Sequence, residues 1–391
     1  MKSAVLCLWV ALLLCCLPHA SSMRQEGTAE AAGAGVLRLR IPKGIPESVW
    51  RKHIPADNPL TSEKVALGEE LFFDRRLSAS GTVSCAICHD PATAFADLQT
   101  FAIGHDGRAG ARNTPTVLNA MFSDTQFWDG RAGSLEEQAR EPLVNPLEMG
   151  MPSFESVVER VAGLPGYRQK FARVFGDDGV TIETITKAIA AYERTQLSGN
   201  SPFDRFITGD ADAISEAQKR GWNLFRGKAG CVACHAYSPS SPFFTDFGFH
   251  NTGNASKGVG FEALAGRALQ PAARGAETPR THDPAAPPPG DLSPLGRFLV
   301  TKRPQDIGAF KTPSLRDVEL TAPYMHNAAE KTLLDVVRFY NRGGGKNRHL
   351  DSRITPLGLT DAEMSDVVEF MRALTSDDVL RRVQTTRPQM R

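Results

Sequence analysis

Apolar residues along this chain recur mostly with a helical period. In TIETITKAIAAYERTQL, Ile182, Ile185, Ile189 and Tyr192 fall on one face, predicting a helix from Thr181 to a stop near Gly199. Thr332 opens LLDVVRFY, where Leu333, Val336, Val337 and Tyr340 form one stripe. Thr360 and Glu363 cap a last helix carrying Met364, Val367, Val368, Met371 and Leu374. The S-x-x-E/Q spacing of a capping box marks further helix starts at Ser134 with Glu137 and at Ser215 with Gln218. EKVALGEELFFD follows Thr61-Ser62 and leads into VSCAICH. Alternation with a period of two is nearly absent, so the pattern predicts a mainly α fold.

The first residues, MKSAVLCLWVALLLCCLPHASS, combine a lysine, an apolar run from Ala4 to Leu17 and small residues near Ala20 to Ser22. That run is too short to span a bilayer comfortably and reads as an export signal over residues 1–22, with an uncleaved anchor as the alternative. A periplasmic location is expected. No later segment approaches the ~20 apolar residues of a membrane helix, so no span is expected after processing. Residues 23–44 have little to bury and are expected to be weakly ordered. A boundary near Gly199 to Asp212 divides 45–205 from 206–380, and ARGAETPRTHDPAAPPPGDLSPL, at about 272–295, reads as a surface loop. The 391 residues allow two or three domains, and a net charge of +1 makes no case for nucleic acid or acidic lipid as partner.

Cysteine usage narrows the chemistry most. Cys7, Cys15 and Cys16 leave with the signal, and the other four, Cys85, Cys88, Cys231 and Cys234, all lie in VSCAICH and CVACH. Each of these is C-x-x-C-H, ending in His89 or His235, the attachment pattern of a c-type haem. Two thiols add to the haem vinyl groups, and the adjacent imidazole reaches the iron. An exported protein ordinarily uses cysteines in disulfides, and none is left for that. A zinc site needs close pairs, yet these pairs stand 146 residues apart (231 − 85). A thioredoxin-like motif needs a βαβ pattern that is not visible. From average residue usage, one chance match is expected at roughly the 10⁻³ level and two at roughly 10⁻⁶. Two covalently bound haems c are therefore expected. Each motif follows a helix and precedes a long irregular stretch. This duplicated architecture, without a letter-for-letter repeat, predicts two cytochrome c-like haem domains packed together, with long irregular loops.

A haem presents two iron faces, and the motif histidine takes one. An open second face permits chemistry, whereas a second strong ligand restricts the iron to electron transfer. Here the chain resembles the bacterial di-haem cytochrome c peroxidases and their MauG relatives over roughly residues 45 to 375. The motifs that carry the resemblance are FFDRRLSASGTVSCAICHD, GHDGRAGARNTPTVLNAMF, QFWDGRAGSLEEQAREPLVNPLEMG, GWNLFRGKAGCVACH and KTPSLRDVELTAPYMHNAAEKTLLDVVRFYNRGG.

The resemblance implies that the N-terminal haem handles hydrogen peroxide and the C-terminal haem supplies electrons. It implies Gln138 and Glu148 as the peroxide-handling pair. Taken alone, these are a solvated helix glutamine and a surface glutamate. Splitting O–O needs a proton moved between the two oxygens, which a carboxylate near the iron performs while an amide orients the peroxide. Pro142, between them, either shapes the pocket wall or ends a helix. His105 matches a family histidine that ligates the resting first iron, though a Gly-flanked histidine is otherwise an ordinary loop residue. Trp128 matches the tryptophan between the haems, where an indole carries an electron hole in two shorter steps. Asn113 with the carbonyls of Thr321 and Pro323 matches the family's calcium site. His326 matches a haem-pocket hydrogen-bonding group and not a ligand.

At the second haem the peroxidases carry an axial methionine where this chain has Tyr340, and MauG-like members have tyrosine there. Thioether raises the iron potential and phenolate favours the oxidised metal. Met325, Met364 and Met371 are the alternative ligands, with Tyr340 then a core residue. Three functions remain open. One is a peroxidase taking electrons from a small cytochrome c or cupredoxin, and another a MauG-like oxidase acting on Trp or Tyr of a partner protein. The third is an electron carrier with both irons closed, which has no use for Gln138 and Glu148. The resemblance is also consistent with a homodimer.

Overall fold

The computed structural model describes residues 30–32, 36–256, 260–270 and 291–386. The expected export signal and most of the Pro-rich loop lie outside the described residues. The structure is helix-rich with little sheet, as the periodicity predicts. In the first half come α1 (Glu47–Arg51), α2 (Ser62–Phe73), α3 (Cys85–Cys88), α4 (Leu135–Val144), α5 (Phe154–Gly163), α6 (Tyr167–Phe175) and α7 (Ile182–Glu193). There follow α8 (Pro202–Ile207), α9 (Glu216–Arg226), α10 (Phe261–Ala268), α11 (Phe298–Thr301), α12 (Leu333–Asn341), α13 (Asp361–Arg372) and α14 (Asp377–Thr386). Sheet among the described residues is limited to two antiparallel pairs, β1 (Glu30–Ala32) with β2 (Val36–Arg38) and β3 (Phe249–His250) with β4 (Phe310–Lys311).

The predicted caps form. Ser134, Ser215, Thr332 and Thr360 each accept a hydrogen bond from the backbone N–H three residues on. The helix after Thr181 ends at Glu193 and not near Gly199. Asn119 intervenes: its side chain exchanges hydrogen bonds with both backbone groups of Ser198 at 2.9 Å, and its N–H donates to Gln196 O. These bonds hold residues 196–198 out of the helix.

Two apolar cores form, one beside each C-x-x-C-H motif. The first gathers Leu67, Leu71, Phe72, Phe95, Ile185 and Tyr192, and the second Phe203, Phe225, Phe244, Val367 and Phe370. At the centre of each, two helices cross at a glycine. A Cβ on Gly68 of α2 would stand 1.9 Å from Ala188 O of α7, and one on Gly221 of α9 would stand 1.9 Å from Asp366 O of α13. Only glycine permits such an approach. Four residues further on, aromatic rings close each crossing, Phe72 on Tyr192 at 5.1 Å and Phe225 on Phe370 at 5.0 Å.

The register continues beyond the crossing. Thr114-Pro115 and Thr312-Pro313 stand 198 residues apart (312 − 114), and later matches keep that spacing. Asn119 and Asp317 are both left-handed and both open a 3₁₀ turn. Phe127 and Met325 share φ of 66° and 73°, and the bridges Gln126–Ala132 and Tyr324–Glu330 correspond. Ser134 and Thr332 then cap α4 and α12.

The chain does not divide cleanly in sequence. Val379 and Val383 of α14 belong to the first core, so the C-terminal helix returns across the molecule. A third cluster of Ile45, Val49, Trp50, Phe122 and Phe243 lies along the seam, with Phe122 stacked on Phe243 at 4.2 Å. Of the segment before Ile45, Leu37 is buried and Lys43 O accepts the Asn200 N–H at 2.7 Å. Arg316 makes two 2.8 Å hydrogen bonds to Asp204, tying α8 to the second half through a fully buried pair. Among the described residues no helix is long and apolar enough to cross a membrane.

Candidate functional site

The two motifs have matching local structure. Cys85 to Cys88 make the single turn of α3, and Cys231 to Ala233 one 3₁₀ turn that Cys234 ends, so the two cysteines of each pair stand at the two ends of one turn. His89 Nδ1 lies 3.1 Å from Phe95 O, and His235 Nδ1 lies 2.9 Å from Phe244 O. A backbone carbonyl only accepts, so Nδ1 carries the proton in both rings and Nε2 is the nitrogen left for a metal. Burial lowers both imidazoles, opposed by those carbonyls, which favours the neutral ring a metal requires.

Cys85, Cys88, Cys231 and Cys234 form no disulfide, and all four are half-buried. Burial pushes Cys88 and Cys231 up to about 12, and Cys85 higher still. Reactive redox or zinc-binding thiols have the opposite shift. Cys234 also lies with Asp246 and His250 so that their ligand atoms fall within 4.8 Å. His250 is held there by Asp246 and Asp351, each at 2.9 Å. Burial works against its charge, but hydrogen bonds to Cys234 and Asp246 outweigh it and bring the pKa up to about 9. Arg353 Nη2 also lies 2.6 Å from His250 Nδ1, so the ring is tied into a cluster with Asp246, Asp351 and Arg353 beside the motif.

A cavity of about 330 Å³ adjoins the second motif. Cys231, Cys234, His235, Trp128, Asn113, Thr321, Pro323, His326 and Tyr340 all line it. So do Met325 and Met371, whereas Met364 is in the core, its sulfur 3.5 Å from Asn341 Nδ2. Burial first, then the Cys234 and Cys231 sulfurs, push the Tyr340 phenol up, and a hydrogen bond with Thr252 opposes them. A phenol so placed becomes phenolate only against a cation that displaces its proton.

Trp128 joins the halves. Its Nε1–H donates to Asn113 O at 2.8 Å, and Asn113 N–H donates to His326 O at 2.8 Å. The His326 ring stacks on Phe310 at 3.5 Å and meets Trp128 edge-on at 6.4 Å. Asp129 fixes the tryptophan's turn through Arg112 at 2.6 Å and Arg131 at 3.1 Å. Asn113 Nδ2 reaches Gln99 O at 3.4 Å, leaving its amide oxygen, with the Thr321 and Pro323 backbone, as hard-cation donors.

At the first motif, Gln138 and Pro142 lie on α4, and Glu148 follows in the loop. Burial first, and the Glu148 charge least, raise both Cys85 and Cys88. His105 N–H donates to Glu148 O at 2.7 Å, its ring lies against Gly150, and its Nε2 pairs with Asp106 at 3.1 Å. In the 198-residue register Pro142 stands where Tyr340 stands, Gln138 where Val336 stands, and Trp128 where His326 stands.

Sequence reasoning missed Glu193. It is 6% exposed, and its Oε2 has no hydrogen-bond partner. Burial brings it up to about 8, against the lowering effect of Arg194. Counted from the helix crossing, it matches Met371 of the second cavity. The G-x-x-L-F shared by Gly68–Phe72 and Gly221–Phe225 is the sequence signal for the paired crossings from which this match is counted.

The donor sets fit a pair of haems: two sulfurs three residues apart and a tautomer-locked imidazole at each motif, with a mostly apolar cavity at the second. The molecule is thus of the class with two repeated C-x-x-C-H sites in a helical scaffold. Residues 62–212 match the family model described as di-haem cytochrome c peroxidase. The chain is 40% identical over 351 residues to methylamine utilization protein MauG of Methylorubrum extorquens, covering 90% of this chain and 88% of that one. It is 39% identical to cytochrome-c peroxidase IdrP1 of Denitromonas iodatirespirans, covering 84% and 85%. Among solved structures it resembles a MauG-like protein associated with microbial copper homeostasis, at TM-score 0.70 and 30% identity over 88% of this chain and 98% of that one. The chain belongs to the di-haem cytochrome c peroxidase and MauG family.

Proposed function

We propose that this protein is a periplasmic di-haem peroxidase that reduces hydrogen peroxide at the first site with electrons supplied through the second. Cys85 and Cys88, and Cys231 and Cys234, would hold the haems as thioethers, and His89 and His235 would ligate the irons. When bound, the irons supply the redox equivalents. The reaction takes up two electrons and two protons and releases two waters. The observation that carries the reading is the mismatch between equivalent positions: Pro142 has no donor atom where Tyr340 has a phenol. With a haem bound at each site, Gln138 and Glu148 would handle peroxide at the first, and Tyr340 would be the second ligand at the other. Glu148 moves a proton from the inner to the outer peroxide oxygen, and Gln138 orients the molecule by hydrogen bonding. His105 would ligate the first iron at rest and swing away on activation to admit peroxide. Trp128 divides the electron path between the halves, and Asn113, Thr321 and Pro323 bind calcium beside it.

Tyr340 in place of methionine also favours a MauG-like oxidase that takes its electrons from Trp or Tyr of a partner protein. Assay with a reduced small cytochrome c separates the two, since only the peroxidase turns over on it. Both require Glu148. Glu148→Gln should slow the optical response to peroxide by roughly 10²–10⁴-fold in stopped-flow measurement. A wild-type rate in that variant would remove the acid–base role.

A further inference from the structure

The second core contains two oxidisable side chains that the scheme above does not use. Phe203, Trp222, Phe225, Tyr237, Phe244 and Phe370 pack as one aromatic group. Trp222 and Tyr237 stand 6.1 Å apart between ring centroids, Tyr237 stacks on Phe244 at 4.8 Å, and Trp222 lies 6.1 Å from Phe225. Phe225 is in turn 6.5 Å from the His235 ring, whose proton Phe244 O accepts. The four phenylalanines are fully buried, whereas Trp222 and Tyr237 are half-buried and so reach the surface. Neither lines the cavity that contains Trp128 and Tyr340.

Packing does not explain the choice of residue. The first half builds the same crossing, with Phe72 matching Phe225 and Tyr192 matching Phe370. Yet at the positions equivalent to Trp222 and Tyr237 it has exposed Glu69 and half-buried Pro91. Indole and phenol yield single electrons to strong oxidants, and phenylalanine does not. The half expected to receive external electrons is the half with the oxidisable pair at its surface.

We propose that Trp222 and Tyr237 are an electron-entry relay from a docked one-electron donor to the His235 site. This rests on the peroxidase reading. Each peroxide reduced draws two electrons, one at a time. Trp222 gives up one electron toward His235 and its N–H proton to solvent. The Arg226 guanidinium, 5.6 Å from the ring centroid, opposes a positively charged indole and so favours loss of that proton. Tyr237 returns an electron to Trp222 and releases its hydroxyl proton to solvent; the external donor then re-reduces Tyr237, and solvent returns a proton to each ring. Without a donor the electron is not replaced, and the aromatic radicals trap dioxygen from solution.

The test uses the full holoprotein. Peroxide is added in air without donor, and peptide mass spectrometry locates added oxygen. The wild type should carry it at Trp222 and Tyr237, and Trp222→Phe should lower it at Tyr237. Steady-state turnover with a reduced small cytochrome c should fall roughly ten-fold in Trp222→Phe and in Tyr237→Phe, with the donor-free optical response to peroxide unchanged. The two single variants keep the test open if one of them folds poorly. Oxygen absent from both residues, with turnover unchanged in both variants, would overturn the relay. A wild type that gives no optical response to peroxide would instead overturn the peroxidase reading, and the relay with it.

Discussion

The two halves share a scaffold and differ at the positions that face the motifs. Both cross two helices at a glycine, lock a motif histidine on a backbone carbonyl, and turn through T-P and a left-handed Asn or Asp into a capped helix. Against that constant frame, α4 has Gln138 and Pro142 where α12 has Val336 and Tyr340. The loop after α4 adds Glu148, against whose backbone His105 is bonded, whereas the mostly apolar cavity wall beside α12 has Lys311, Arg316 and Arg353 as its charged groups. The frame sets where a side chain can point, and a handful of substitutions divide the work. A protein-level likeness to peroxidases therefore says less about either site than the residue-by-residue contrast between them.

The largest expected effect comes from erasing that contrast. Pro142→Tyr places a phenol where α12 has one and restores the helical N–H that proline lacks. Peroxide reactivity should fall at least about 100-fold as the open face closes. Pro142→Val supplies no ligand and should retain most of the rate. Unchanged peroxide kinetics in Pro142→Tyr would show that equivalent positions do not face equivalent metals.

The frame itself can be tested at its two crossings. Gly68→Ala and Gly221→Ala each put a methyl group 1.9 Å from a backbone carbonyl that cannot swing away. The helices must separate, at a cost of about 1–3 kcal/mol each. Urea unfolding of both variants measures it. Similar losses would sharpen the equivalence, and a variant as stable as the wild type would break it.

Much of this was legible in the chain. The C-x-x-C-H pairs stand out because the chemistry demands invariant spacing, and Ser134, Ser215, Thr332 and Thr360 announced their helices because a cap is a local interaction. The 198-residue register was not legible, because it is carried by φ angles and carbonyl partners that many residue types satisfy. Apart from T-P, few letters repeat. Nor could the stripe on α14 say which core it joins, since amphipathicity gives a buried face without an address. Glu193 hid for a related reason: its side chain follows a helical stripe whose far side is ordinarily wet, and only tertiary packing buries it.

Glu193 gives the smallest effect and the finest comparison, because its counterpart is the thioether of Met371. Its carboxyl keeps its proton in the folded protein up to about 8, against an ordinary value of 4.5. Between those values the unfolded chain has released the proton and the folded chain has not. Raising the pH therefore favours unfolding across that window, and below it the two states bind protons alike. The wild type should lose up to about 1.4 kcal/mol per pH unit between pH 5 and 8 from this one group. Glu193→Met, which copies the second half, should remove that slope and be relatively most stabilised near pH 8. Urea unfolding of both proteins at pH 5, 6.5 and 8 would measure it. Parallel pH dependences would mean that Glu193 is already ionised in the folded chain and that the two cores are more alike in polarity than their residues suggest.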